Sequence, residues 1–109
     1  MANDYKVLAQ AALPATTASV IYTVPSATST VLSTVTICNQ NSSQSSYRIA
    51  VVPGGGAPLT HNYLAYDVPL QANDTTALTL GITLATTDIV NVYATTSSVS
   101  FSLFGTEVT

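Results

Sequence analysis

Thr75-Thr-Ala-Leu-Thr-Leu-Gly-Ile-Thr-Leu84 alternates from end to end. Leu78, Leu80, Ile82 and Leu84 fall on one face, and Ala77, Thr79, Gly81 and Thr83 on the other. A strict period of two is the mark of a β-strand with one face in a core and one in solvent.

Flanking segments follow the same rule with more noise. Ala18 to Val24 aligns Val20, Tyr22 and Val24 before Pro25. Thr30 to Asn39 aligns Val31, Val35 and Ile37, with Leu32 and Cys38 opposite. Ser45 to Val52 aligns Tyr47, Ile49 and Val51 before Pro53-Gly54-Gly55-Gly56. Tyr63 to Leu70 aligns Leu64, Tyr66, Val68 and Leu70, so Tyr22, Tyr47 and Tyr66 read as core. Ile89 to Ala94 and Val99 to Phe104 read as a closing pair around Thr95-Thr96-Ser97-Ser98.

Turn-forming residues separate these runs, at Pro25-Ser26, Asn39 to Ser46, Pro53 to Pro58, Ala72-Asn73-Asp74 and Thr86 to Asp88. Tyr5 to Gln10 fits either a strand or an extended arm, and residues 1–14 are read as an arm that could add a strand to a neighbour. Seven or eight short strands at this spacing imply one all-β domain over residues 1–109, a single antiparallel β-sandwich of jelly-roll type.

The composition narrows the function. Charged residues make up 6% of 109, against about 25% in an ordinary soluble domain. Thr and Ser number 18 and 12. Lys6 and Arg48 are the only cations, too few to neutralise a run of phosphates, so no nucleic-acid partner is expected. No apolar run approaches the roughly 20 residues of a membrane span, and no secretory signal is visible, so no membrane partner is expected. The lone Cys38 forbids an internal disulfide, consistent with synthesis in a reducing cytoplasm. Interface cores are depleted of charge, so much of this surface is expected to lie against protein.

Candidate chemistry is sparse. His61 is the only histidine, and no Gly-x-Ser-x-Gly elbow accompanies it, so it reads as a loop residue and the chain as no enzyme. Gly54-Gly55-Gly56 is followed by Ala57-Pro58 where a phosphate loop needs Gly-Lys-Ser/Thr, so it reads as a turn. Asp4, Asp67, Asp74, Asp88 and Glu107 are scattered, with no Asp-x-Asp spacing for a hard cation; no metal or other cofactor is expected. Six tyrosines and no tryptophan leave a carbohydrate-binding module as the runner-up, if some of the rings are exposed.

The chain as a whole resembles small all-β virion structural proteins of tailed bacteriophages, including capsid cement or decoration proteins. The matching features are Tyr22-Thr23-Val24-Pro25, Ile37-Cys38-Asn39, and Tyr47-Arg48-Ile49-Ala50-Val51 before Pro53-Gly54-Gly55. Ala72-Asn73-Asp74-Thr75 before Leu80-Gly81-Ile82, and Val92-Tyr93-Ala94 before Phe101 and Gly105, complete them. The resemblance runs from about Tyr5 to Glu107 and carries no catalytic residues.

It implies a non-enzymatic protein of the outer capsid surface that binds the major capsid protein or other virion proteins and self-associates. Necks, tails and baseplates carry similar chains. Position and composition put the expected contacts at Asp4, Tyr5, Lys6, Val7 and Leu8, and at His61, Asn62 and Tyr63.

Overall fold

The computed structural model describes residues 2–109. Eight strands follow in order: β1 (Asn3–Ala12), β2 (Ser19–Thr23), β3 (Ser29–Asn39), β4 (Ser45–Val52), β5 (Tyr63–Leu70), β6 (Thr75–Leu84), β7 (Ile89–Ala94) and β8 (Val99–Val108). A 3-10 turn, Thr60–Asn62, precedes β5. One sheet has the order β1-β8-β3-β6 and the other β2-β7-β4-β5, with every pairing antiparallel. Two four-stranded sheets interleaved in this way form a jelly roll.

Residues 3–12 are a strand, not a free arm. They run along β8 from Asn3↔Val108 to Ala12↔Ser100, and Leu8, Ala9 and Ala11 pack against the core. Pairing supplies partners for backbone groups that an arm would leave to water.

The expected closing pair is also absent. β7 and β8 lie in opposite sheets, because Val90, Val92 and Ala94 face Val99, Phe101 and Leu103 across the core. Thr95–Ser98 is the crossing between them, and it is tied down where Thr95 N–H donates to Ser46 O and Gln40 N–H to Ser98 O. Among the described residues, β4 and β5 are the only strands adjacent in sequence that are also paired.

The core is aliphatic with three rings. Leu32, Val35, Ile37, Ile49, Leu70, Leu84 and Leu103 are buried together with Tyr22, Tyr47 and Phe101. At one end of the sandwich, buried Asn39 donates through Nδ2 to the carbonyls of Ser43, Leu70 and Gln71, while its Oδ1 accepts from Asn41 N. One side chain thus ties the β3–β4 and β5–β6 connections together.

Bulges reverse the facing of several residues. A single extra residue moves every later side chain to the other face. In β3 the register against β8 slips between Leu32 and Thr34, so Ser33 is the extra residue. Leu32 is therefore buried ahead of it and Val35 and Ile37 after it, while Val31 is exposed.

In β5 the slip between Tyr47↔Val68 and Ile49↔Ala65 coincides with φ +52° at Asp67. Val68 and Leu70 face inward, but Leu64 and Tyr66 are exposed, so Tyr66 is not a core residue. Ile21 is the bulged residue of β2, which leaves Val20 outside. Gly81, at φ +76°, marks the irregularity in β6 that brings Leu80 to the surface.

Candidate interaction surfaces

Three surfaces carry the chemistry of this chain. The first is the outer face of sheet β1-β8-β3-β6. Its registers align Tyr5, Thr106, Val31 and Thr83 in one row, and Val7, Phe104, Thr34 and Thr79 in the next. Gln10, Ser102, Thr36 and Ala77 follow, then Ala12, Ser100, Cys38 and Thr75. No member of these rows is charged. Tyr5, at 77% exposure, and Val7 are its most prominent apolar side chains.

The second is the edge beside that face. Lys6 and Asp4 turn away from the Tyr5 side: Lys6 Nζ lies 2.6 Å from Glu107 Oε1 and 3.6 Å from Asp4 Oδ2. Tyr22 reaches across from β2 in the other sheet, its hydroxyl donating to Glu107 Oε2 at 2.5 Å and meeting Thr30 Oγ1 at 2.8 Å. Hydrogen bonding from Lys6, then from Tyr22, holds the Glu107 carboxyl below its ordinary range. Burial, reinforced by the bond to Glu107, pushes the Tyr22 phenol up to about 12. This cluster fastens the two sheets to each other.

The third surface is the outside of β4, β5 and β7. Arg48 donates from Nε to Asp67 Oδ1 at 2.6 Å and from Nη2 to Asp67 Oδ2 at 3.2 Å. Its guanidinium carbon is 4.2 Å from the centroid of the Tyr66 ring and 4.4 Å from that of Tyr93. Tyr63 meets Tyr66 edge to face, with centroids 4.9 Å apart. Beside them Pro58, Leu59, Thr60, Tyr63 and Tyr66 line a cleft of about 530 Å³.

No family model and no curated protein matches the chain. Among solved structures, it is similar to a chain in the structure of infectious bursal disease virus Gx strain, at a TM-score of 0.52 and 12% identity. The match covers 97% of this chain and 31% of that one, so the domain spans about a third of its neighbour's length. At this identity the likeness shows a shared fold, and fold alone does not fix function.

The residues singled out in the sequence divide between roles. Tyr5 and Val7 lie on the uncharged face, Asp4 and Lys6 belong to the ionic edge, and Leu8 packs inward. Asn62 is buried, its Oδ1 accepting from Leu59 N at 2.8 Å, so it holds the 3-10 turn in place. His61 is exposed on that turn and Tyr63 borders the cleft.

Asp67 engages Arg48 with both carboxylate oxygens. Among the described residues, no three of His, Cys, Asp and Glu gather as a metal site. No described helix is long and apolar enough to cross a membrane.

Sequence reading missed the Arg48–Tyr66–Tyr93 stack. The available signal was a lone arginine within a strand whose neighbours include tyrosines. The cross-strand pairing Arg48↔Tyr93 and the Asp67 bulge that assemble the stack are not visible in sequence.

Proposed function

We propose that this chain is a non-enzymatic virion structural protein of the cement or decoration kind. It binds the major capsid protein lattice from outside and self-associates there. The observation that carries this reading is the uncharged outer face of sheet β1-β8-β3-β6. At about 4.8 Å between strands and 3.4 Å per residue, four strands of ten residues give a footprint of roughly 650 Å². That approaches the roughly 800 Å² each partner contributes to a standard interface.

Threonine and serine suit such a face, because they lose less rotamer freedom on ordering than lysine or glutamate. The molecule is also a slab, 45 × 27 × 19 Å, shaped to lie flat on a surface. The fold shared with a chain of a viral particle is in keeping with this role. Contacts are assigned to Tyr5 and Val7 on that face, with Asp4, Lys6 and Leu8 positioning them, and to the loop of His61, Asn62 and Tyr63. Binding only the assembled lattice would stabilise it by linkage.

The test is the copy number of this chain relative to the major capsid protein in purified particles. A fixed whole-shell ratio supports the cement role. A handful of copies moves the chain to a neck, tail or baseplate, and absence from particles rejects the virion reading.

A further inference from the structure

We infer that the cleft between the Pro58–Thr60 loop and the Tyr63–Tyr66 pair is a binding site for neutral saccharides. It lies on sheet β2-β7-β4-β5, opposite the Tyr5–Val7 face, so that face can stay on the shell while the cleft is occupied; Tyr63 is shared with the loop contact, and occupancy competes only with contacts made through that loop.

The first argument is preorganisation. Tyr66 is 56% exposed, yet its ring is fixed on two sides, by the Arg48 guanidinium at 4.2 Å and by Tyr63 at 4.9 Å with the planes at 85°. Arg48 is in turn held by Asp67 and backed by Tyr93. The ordering cost of the Tyr66 ring is thus met before any ligand arrives, which favours affinity.

The second argument is the chemistry of the walls. Tyr66, Tyr63, Leu59 and Pro58 present apolar and aromatic surface, which suits the C–H face of a pyranose. Thr60 and the two tyrosines add hydroxyls, which donate and accept like the hydroxyls of a sugar rim. About 530 Å³ lies within the usual range of small-molecule sites.

The third argument is charge. The cation nearest the cleft is neutralised by a bidentate carboxylate, so the site has no ionic anchor for a phosphate, sulfate or carboxylate. An aromatic-walled groove can also take a proline-rich peptide. Such a peptide offers mainly carbonyl acceptors to hydroxyls that can both donate and accept, so the saccharide is the better match.

The experiment applies purified protein, without particles, to an array of neutral and sialylated oligosaccharides that also carries a decaproline peptide. Retention on neutral oligosaccharides is expected. It should weaken about tenfold or more in Tyr66→Ala and persist in Tyr66→Phe, which keeps the ring. Thr36→Lys, on the opposite sheet, should leave it unchanged. If Tyr66→Ala does not fold, Leu59→Asp places a charge in the cleft from an exposed loop and should produce the same loss.

Failure to retain any neutral oligosaccharide would overturn the inference. So would retention confined to sialylated probes, retention of decaproline instead, or retention indifferent to both Tyr66→Ala and Leu59→Asp. None of these results bears on copy number in particles, so the two proposals stand or fall separately.

Discussion

Gly105 on β8 packs directly under the backbone of Val31 on β3, so close that a Cβ at position 105 would collide with the Val31 carbonyl oxygen. Leu8 closes over the same spot from β1. This close approach lies where the registers of β1 and β3 both slip against β8. Only a residue without a side chain permits three strands to meet there. Gly105→Ala is therefore expected to destabilise the domain by about 2–4 kcal/mol, as overpacking against rigid backbone does. A urea titration followed by circular dichroism measures it, and a change under about 1 kcal/mol would mean that the seam can open without loss.

The Lys6–Glu107–Tyr22 cluster gives stability a pH signature. Glu107 has a lowered pKa in the folded state, so the unfolded chain binds more protons just below pH 4.5. Its contribution is fully present above that value and is lost as pH falls through the folded pKa. Tyr22 behaves oppositely. Between pH 10 and about 12 the folded state keeps a proton that the unfolded chain has released, so stability falls as pH rises. Lys6, raised above 10.5 chiefly by its bond to Glu107, acts in the same direction. Thermal midpoints across pH should decline at both ends. Glu107→Gln should flatten the acid limb, and Tyr22→Phe should reduce the alkaline one at a cost of about 1–2 kcal/mol near neutrality.

Asn39→Ala should cost about 2–4 kcal/mol, because it leaves three carbonyls without the donor that serves them. Asn39→Asp should be at least as damaging, since it places a carboxylate among those carbonyl oxygens. Thermal melts at neutral pH compare the two, and an aspartate milder than the alanine would show that the loops rearrange around the site.

Deleting residues 1–10 tests the status of the first strand. As an arm it would be dispensable to the fold. As β1 it pairs with β8, shields the core through Leu8 and Ala9, and supplies Lys6 to Glu107. A loss of at least about 3 kcal/mol is expected. An unchanged melting transition would return the segment to the status of an arm.

Thr36→Lys places a charge in the middle of the uncharged face. Monomer stability should stay within about 0.5 kcal/mol, as for an ordinary surface change. Self-association by sedimentation velocity and binding to particles should both fall sharply. If neither moves, that face is not the contact.

Much of the architecture was legible in the sequence because β-branched alternation and turn residues are local signals. Thr75–Leu84 is a strand of the expected bounds, as are Ser45–Val52, Tyr63–Leu70 and Ile89–Ala94. Facing was less legible, because strict alternation assumes an unbroken register. Ser33, Ile21 and Asp67 each break it, and the errors at Val31, Leu32, Val20 and Tyr66 follow from those positions. Gly81 within a strand was a warning of the same kind, since strand glycines often mark bulges. Sheet partnership depends on long-range contacts, so the separation of β7 from β8 carried no local signal.

β8 is flanked by β1 and β3, yet it follows all seven other strands in synthesis. Until Val99–Val108 has left the ribosome, the inner edges of β1 and β3 have no partner and that sheet cannot close. The nascent domain must wait with two sticky edges exposed, a state open to mispairing with other copies. A chain halted before residue 99 would therefore lack a central strand, and would be a candidate for aggregation or proteolysis instead of a slightly shortened product.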